Sequence, residues 1–298
     1  MSDDVIVTIT LNAALHVSYA AAGPVADGPV PGGTAVVPVS HPRYRAGGRG
    51  VTAARVLSAF GHDVLAGGLV GGAAGELIRE DLARSAVPTA FTQIRAESRR
   101  IFQFEVASSM RFGEPGPYIT TEELGRFAAD YRKLLSSAAA VVLCGSLPEG
   151  LPPDMYASLV RYAAEAGVPV ILDAGGEELV LAVRNRPALV VAESQEADAG
   201  QSLIRRGAAA VAVVCGQVVR VVTAEGEWLA SLEKAPRAVP ADGLDRGALV
   251  AGLVPGELLG WSWPDRLRHS LALAAGARGD VDSAVYEELL DSVTVTPL

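Results

Sequence analysis

The chain has 298 residues, half of them apolar, which predicts a globular protein with a large core. Its 34 acidic and 25 basic residues give a net charge of -9 at pH 7, which argues against a nucleic-acid-binding surface. No apolar run approaches the roughly 20 residues that cross a bilayer, and the acidic start lacks the pattern of a signal peptide. With two cysteines and no CxxC pair, we expect a soluble protein of the reducing cytoplasm.

The first half of the chain combines strand patterns with a clear helix. VIVTIT (5–10) is typical of a buried strand, and a helix is predicted to follow AGGRG (46–50) and to end at Gly61. Its apolar face consists of Ala53, Val56, Leu57 and Phe60. Two other segments, at about 17–45 and 91–112, have strand-like patterns without a helical period. They predict a small second layer outside the main sheet.

From residue 138 onward, strand and helix patterns alternate regularly. AAVVLC, VPVILD, PALVVAE and AAVAVVC are apolar strands separated by amphipathic segments. This alternation predicts a parallel sheet with helices on both faces. Ligands bind at the carboxyl ends of such strands, so several turns are expected to face one cleft, those after Thr10, Val70, Cys144, Asp173 and Cys215. Both cysteines are expected to pack as small hydrophobic residues.

The stretch ADGLDRGALVAG (241–252) has the outline of a glycine-containing turn that leads into an apolar helix. The unpaired N–H groups at such a helix start suit a phosphate or a developing anion. An anion site needs small residues, yet Leu244, Asp245 and Arg246 fill this turn. We expect the helix to begin at Gly247.

GSLPEGLPPDMY (145–156) closely resembles the PfkB carbohydrate kinases, which have a ribokinase-like fold. Further segments resemble the 1-phosphofructokinase and tagatose-6-phosphate kinase branch, in the same order: TLNAALHV resembles TLNPALDV, AGGRGVTAARVLSAFGHDV resembles AGGKGxNVARVLxxLGxxV, FGEPGPYIT resembles NEPGPxIT, and LDAGGEEL resembles LDTSGExL. The resemblance spans nearly the whole chain. It implies a single α/β domain (1–298) with a mostly parallel central sheet, helices on both faces, and a small β lid that forms a homodimer contact.

The resemblance also implies transfer of the ATP γ-phosphoryl group to a hydroxyl of a sugar or sugar phosphate. In the family, the Asp of a GAGD motif takes the hydroxyl proton, and backbone N–H groups of that motif stabilise the transferring charge. An NxxE motif organises Mg²⁺, while an early Asp and the GGKGxN loop hold the sugar. An active member would therefore use ATP, Mg²⁺ and a sugar phosphate.

In the glycine loop, Gly47 and Gly48 match the family, but its Lys is Arg49 and its Asn is Thr52. Arg49 is the best candidate for a phosphate contact, because a guanidinium at a helix start presents a fork of donors. The alternative is a general bias of this sequence towards arginine. The position of the Asn before EPGP is Gly113.

The other two sugar-site candidates are His16, at the position of the early Asp, and Arg99, which matches an arginine of the lid. His16 either binds a sugar hydroxyl or phosphate, or is a structural histidine in a turn. Arg99 either reaches a sugar phosphate or is a solvated charge on a strand.

The nucleotide and metal motifs are altered too. Glu193 replaces the Asn of NxxE and Glu196 is kept, so this pair either holds a cation or is an exposed acidic helix start. Gly216 and Gly243 are the nucleotide-binding candidates. Gly216 opens the GxxG turn that flanks the nucleotide in the family, although that turn ends in Val219 here, and Gly243 lies in the turn at the start of ADGLDRGALVAG.

The family's catalytic Asp aligns with Gly247, and loss of a general base costs about 10²–10⁴ in rate. Asp245, or else Asp242, is a candidate displaced base; the alternative is a turn acid that pairs with Arg246. Arg246 either neutralises a phosphate or blocks the anion site, and we favour the blocking interpretation. We therefore expect weak or absent kinase activity and a small phosphorylated or sugar-like ligand. The alternative is an active kinase with a relocated base.

Overall fold

A computed structural model describes residues 5–22, 39–105, 109–232, 243–276 and 283–298. The strands are β1 Val5–Thr10, β2 Ala14–Ala20, β3 Arg43–Gly47, β4 Val64–Gly71, β5 Thr89–Ile94, β6 Arg99–Glu105, β7 Ser109–Gly113, β8 Ala138–Cys144, β9 Val170–Asp173, β10 Leu189–Glu193, β11 Ala210–Cys215, β12 Val218–Thr223, β13 Glu227–Leu232 and β14 Val293–Pro297. The helices are α1 Arg49–Ala59, α2 Gly72–Arg84, α3 Thr121–Leu135, α4 Met155–Glu165, α5 Gly176–Ala182, α6 Ala199–Arg206, α7 Arg246–Leu259, α8 Trp263–Gly276 and α9 Ser283–Ser292.

The large sheet has ten strands in the order β14-β13-β12-β11-β10-β9-β8-β1-β4-β5. The strands from β11 to β5 are parallel, so the predicted α/β architecture is confirmed. Apolar clusters fill both faces of the sheet, as expected for strands that are buried on both sides. No helix in the described part of the chain is long and apolar enough to cross a membrane.

The second sheet has the order β3-β2-β6-β7 and differs in its bounds from the predicted insertions. β5, which contains the start of the predicted 91–112 segment, is instead the edge strand of the large sheet. Its sequence TAFTQI has the same strand-like pattern as the lid strands. Only its pairing with β4 shows that β5 belongs to the large sheet and not to the lid. The first lid strand begins at Ala14, and residues 23–38 of the other predicted segment lie outside the described residues.

The α1 helix begins and ends as its sequence predicts. Ala53, Val56 and Leu57 are buried, and Gly61 adopts the left-handed backbone that follows the last turn. Both cysteines end strands, but only Cys144 is buried; the expectation for Cys215 is wrong, because β11 ends there and its thiol is exposed.

A buried ion pair joins the small sheet to the helices beneath it. The Asp81 carboxylate on α2 accepts hydrogen bonds from the Ala46 backbone N–H of β3 (2.7 Å) and from the Arg55 guanidinium of α1. Arg55 also donates to the Ser85 hydroxyl at 3.0 Å. One carboxylate thus holds the strand that leads into the glycine loop against both helices.

Candidate active site

The glycine loop lies where β3 ends and α1 begins. Gly48 has a φ of 123°, a backbone conformation that favours glycine, and a Cβ at Gly47 would overlap the ring of His16. His16 lies on β2 rather than in a turn, so that part of the prediction is wrong. The two glycines thus bring the start of α1 close to the lid.

Arg49, at the start of α1, donates from its guanidinium to the Asp173 carboxylate at 2.9 Å. Asp173 is fully buried at the carboxyl end of β9, next to Cys144 of β8. The positive charge of Arg49 at the start of α1 is therefore paired with a carboxylate from the large sheet.

Arg246, at the start of α7, binds the same carboxylate. Its guanidinium contacts Asp173 directly and also donates to Glu193 (3.1 Å) and to the Val191 carbonyl (3.4 Å). The Arg246 side chain is 17% exposed, whereas that of Glu193 is 70% exposed. The guanidinium is thus directed into the sheet.

The carboxylate of Asp173 is not fully satisfied by its two arginines. Burial raises the pKa of Asp173, and the guanidiniums of Arg246 and Arg49 oppose that shift. Within the described parts of the chain, its second oxygen has no hydrogen-bond partner, and neither does the Arg246 Nε. The cluster therefore contains buried polar groups that a packed core avoids.

Gly247 faces helix α1. A Cβ at this position would lie 2.5 Å from the Arg49 carbonyl oxygen and 2.7 Å from the Thr52 Cβ. The backbone of α7 approaches α1 too closely here for any side chain to fit without movement. The close approach explains why glycine occupies this position.

Asp245 is the N-cap of α7, which begins one residue earlier than predicted, at Arg246. Its carboxylate accepts a hydrogen bond from the Ala248 backbone N–H at 3.0 Å, a typical capping interaction. Leu244, one residue before it, is buried. Asp242, the other candidate base, lies outside the described residues.

An open cleft of about 460 Å³ lies beside Arg246, at the carboxyl ends of β9, β10 and β11. Glu193, Cys215 and Gly216 contribute to its walls. Gly216 belongs to a tight hairpin between β11 and β12, with a φ of 59°. Gly243 (φ 88°) lies in the turn before α7.

The predicted acidic pair lies beside Arg246, and its two members differ in their contacts. Glu193 is bonded to Arg246, and Glu196 is exposed. In the ranges that the structure describes, no group of three His, Cys, Asp or Glu side chains is arranged to hold a metal. An all-protein metal cage is therefore not found among the described residues, whereas Mg²⁺ in phosphoryl-transfer sites is usually held by one or two carboxylates together with substrate phosphates.

The side of the cleft next to the lid contains polar groups that the sequence-based candidates did not include. The Asn12 side-chain amide donates to the Ser146 hydroxyl at 3.2 Å, and the Asn12 backbone carbonyl accepts from the Arg99 Nε at 3.3 Å. The Asn12 Oδ1 is buried without a partner in the described structure. Asn12 and Ser146 lie in the motifs TLNAALHV and GSLPEG, and their place in those motifs could have identified them as site residues.

His16 and Arg99 are both partly buried next to this group. Burial lowers the pKa of His16, and the positive charges of Arg111, Arg99 and Arg45 lower it further. Burial also lowers the pKa of Arg99. The structure thus brings the predicted sugar-site residues together: Gly47, Gly48 and Arg49 of the loop, His16 and Arg99 of the lid, with Thr52 behind them against Gly247.

Residues 20–223 of the chain match the family model described as pfkB family carbohydrate kinase. A tagatose-6-phosphate kinase of Staphylococcus epidermidis is 37% identical over 175 residues, which cover 58% of this chain and 54% of that protein. The same kinase of another strain is 36% identical over 188 residues, which cover 62% of this chain and 58% of that protein. The match therefore spans little more than half the length of these relatives.

Solved structures with the same fold include phosphofructokinase-2 from Escherichia coli. Its tetrameric inhibited form has a TM-score of 0.83 at 21% identity, covering 97% of this chain and 98% of that chain. The same enzyme in complex with fructose-6-phosphate has a TM-score of 0.80 at 21% identity, with the same coverage. A carbohydrate kinase from Agrobacterium tumefaciens has a TM-score of 0.73 at 16% identity, covering 98% of this chain and all of that chain, 100%.

Proposed function

The chain belongs to the pfkB family of carbohydrate kinases, and from that premise we propose that it binds a phosphorylated or sugar-like ligand with weak or no kinase activity. The observation that carries the proposal is the packing of Gly247 against Arg49 and Thr52. The position that aligns with the family's catalytic Asp has no carboxylate, and its backbone leaves no space for one.

The ion pairs of Arg246 support the same proposal. Phosphoryl transfer needs positive charge and free N–H groups aimed at the phosphoryl oxygens. Here the guanidinium at the start of α7 is held by Asp173 and Glu193, and the Asp245 carboxylate occupies the Ala248 N–H. An incoming phosphate would have to displace internal carboxylates, which disfavours transfer.

The side of the cleft next to the lid offers a more exposed guanidinium than the start of α7 does. Arg49 retains 32% exposure of its side chain, and Arg99 and His16 line the lid beside it. Their donors and positive charge suit a phosphate or a hydroxylated ligand. We therefore assign ligand binding, rather than chemistry, to this cleft.

The proposal predicts no ADP release above background when the protein is incubated with MgATP and a panel of hexoses and hexose phosphates. The measurement is a coupled ADP assay, run beside Asp245→Asn and Asp245→Ala. Asparagine is as good an N-cap as aspartate but cannot act as a general base. Loss of the cap in Asp245→Ala is expected to cost about 1 kcal/mol of stability.

A second candidate function is an active hexose-phosphate kinase with a relocated base. Asp245 favours it, because this carboxylate is partly exposed and lies two residues from Gly247. Turnover in the wild type that disappears in Asp245→Asn, with the fold intact, would establish this function and refute ours. ATP and Mg²⁺ would then be the required ligands.

We also propose a homodimer through the lid. The face of the small sheet that packs on α2 extends beyond that helix, and the part beyond it is apolar and aromatic. Tyr19 stacks on Phe104, Phe104 contacts Phe112, and Met110 and Tyr44 are exposed. Exposed apolar patches of this kind mark association surfaces.

Phe112→Glu is expected to convert the dimer to a monomer in sedimentation equilibrium. Phe112 is 56% exposed, and a charge at its position would have to be desolvated in the interface. Leu259→Glu is the matched control, since Leu259 is 65% exposed at the end of α7, away from the lid. A wild type that is monomeric at high concentration would contradict the proposal.

A further inference from the structure

A shallow recess of about 230 Å³ lies at the opposite end of the large sheet from the cleft. Its walls come from the second half of α4 and from the segments that lead into β9 and β10, and they include Val160, Ala164, Val168 and Val170. β9 runs from Val170 to Asp173, so roughly 10 Å of strand separates the recess from the buried carboxylate of the cleft. The recess is therefore distinct from the site at the two helix starts.

Arg186 brings a positive charge to the wall of this recess. It is exposed, and its backbone is left-handed with a φ of 61°, although it is not a glycine and is followed by Pro187. Backbone outliers of this kind cluster at ligand sites. Glu165, the neighbour of Ala164 on α4, pairs with Arg161 at 3.7 Å and leaves Arg186 uncompensated.

Three further arginines lie close to Arg186. Arg184 precedes it by two residues, in a short 3-10 turn, and Arg205 and Arg206 end α6. A Cβ added at Gly207 would lie 3.7 Å from the Arg186 Cγ and 3.8 Å from the Arg184 Cα. Because Gly207 directly follows Arg206, the end of α6 packs against the turn that holds the other two arginines.

These four arginines are exposed, and within the described ranges none of them forms an ion pair or a side-chain hydrogen bond. Arginines elsewhere on the surface, such as Arg126 and Arg220, are bonded to nearby carboxylates. The helix dipole accounts for Arg205 and Arg206 at the end of α6, but not for Arg186 in the recess wall. A chain with a net charge of -9 thus keeps a cluster of unpaired positive charge beside an apolar recess.

We propose that the recess and the four arginines form a docking site for an acidic segment of a partner protein. One aliphatic side chain of that segment enters the recess, which is smaller than the roughly 300–1,000 Å³ of a typical small-molecule pocket. Carboxylates on either side of this anchor bind the arginines, whose guanidinium forks match carboxylate geometry. Clusters of arginine recognise acidic protein motifs in this way.

Other classes of partner match this surface less well. The net charge of -9 repels an extended polyanion such as a nucleic acid, and four arginines in one small cluster offset few of its phosphates. A bilayer surface receives protruding apolar side chains, whereas the apolar part of this surface is recessed. A protein segment supplies both the carboxylates and a protruding apolar side chain.

The test is fluorescence anisotropy of the full chain with a labelled synthetic peptide that has one leucine between two runs of acidic residues. Two control peptides replace either the leucine with serine or the acids with glutamine. We expect each control peptide to bind at least about tenfold more weakly, because it lacks either the buried leucine or the charge-assisted contacts. Arg186→Gln should weaken binding of the acidic peptide by about two- to fivefold, and so should the double substitution of Arg205 and Arg206 by Gln.

Ala164→Leu tests the recess separately from the charges. Ala164 is exposed on α4, and leucine is nearly as good a helix former as alanine, so we expect the fold to be kept. The added side chain fills the recess. It should therefore remove the difference between the leucine and serine peptides and leave the difference between the acidic and glutamine peptides unchanged.

Arg126→Gln is the matched control, because Arg126 lies on α3 and is bonded to Glu122. It removes the same charge and should leave every affinity unchanged. Misfolding of Arg186→Gln would still leave the variants on α4 and α6 as tests, since the three lie on different elements.

Three results would overturn the proposal. The first is a wild type that does not bind the acidic peptide, or that binds the leucine and serine peptides equally. The second is equal affinity of the wild type and both arginine variants for the acidic peptide. The third is tighter binding of a DNA oligonucleotide or of phosphatidylserine vesicles than of the peptide, which would assign the surface to another class of partner. The proposed function, which concerns the other end of the sheet, would stand in each case.

Discussion

Asp81→Ala is expected to lower the free energy of unfolding by about 3–5 kcal/mol, the usual cost of removing one partner of a buried ion pair. Arg55 would then lie buried without its carboxylate, and the Ala46 N–H would lose its acceptor. The Arg55 Nε already has no hydrogen-bond partner within the described structure. Loss of the Asp81 carboxylate would leave a second part of the same guanidinium unsatisfied. Urea denaturation followed by circular dichroism measures the change.

The same helix supplies a matched control. Glu76 pairs with Arg79 on the surface of α2, and its side chain is 62% exposed. Glu76→Gln removes one negative charge from α2 and is expected to cost less than about 1 kcal/mol. Asp81→Asn keeps an acceptor for the Ala46 N–H and should fall between the two. Equal costs for Glu76→Gln and Asp81→Ala would show that Asp81 contributes nothing through its burial.

This prediction also concerns the cleft. Ala46 is followed directly by Gly47 and Gly48, so the Asp81 carboxylate fixes the strand that leads into the glycine loop. Loosening that strand would move His16 and Arg49 relative to each other. We therefore expect Asp81→Asn to weaken phosphate-ligand binding even where the protein remains folded.

The large sheet was predictable from the sequence because its strands are buried on both faces. VIVTIT and AAVVLC contain no polar residue that could indicate a solvent-exposed side, except for the threonines of β1. TAFTQI, by contrast, has the half-polar pattern of an edge or lid strand. Its assignment to the large sheet depends on pairing with β4, which a local pattern does not encode.

The contacts of the site were less predictable than its members. The sequence places Arg246 in a turn and suggests Asp245 as its partner, because the two are adjacent. In the structure, the guanidinium reaches Asp173 and Glu193, which lie 73 and 53 residues earlier in the chain. Asp245 instead caps its own helix. An Asp directly before an apolar helix, as in D-R-G-A, is a local signal for capping. A long-range ion pair depends instead on which strand ends meet in the fold.

Gly247→Asp is expected to destabilise the protein by about 3 kcal/mol without producing kinase activity. An acid in the first turn of a helix usually gains about 0.3–1 kcal/mol from the helix dipole. Here the added Cβ would lie 2.5 Å from the Arg49 carbonyl oxygen, so overpacking and a carboxylate near a carbonyl outweigh that gain. Thermal and urea unfolding, with the ADP assay, measure both effects.

Gly125→Asp is the matched control for the backbone and the charge. Gly125 lies in the exposed part of α3, and no described atom lies within 4 Å of the position that its Cβ would take. The same substitution there should change stability by less than about 1 kcal/mol.

The outcome also separates two causes of the inactivity that we propose. If only the missing base limited phosphoryl transfer, restoring an Asp would raise turnover by about 10²–10⁴. Such a gain would contradict our account, because it would require α1 and α7 to move apart and Arg246 to leave Asp173. Asp173 pairs with the arginines at the starts of both α1 and α7. Adding a base at position 247 would supply a proton acceptor, but Arg246 would still occupy the anion site. Inactivity of Gly247→Asp in a folded protein would therefore attribute the proposed loss of activity to the packing of the two helix starts as well as to the missing Asp.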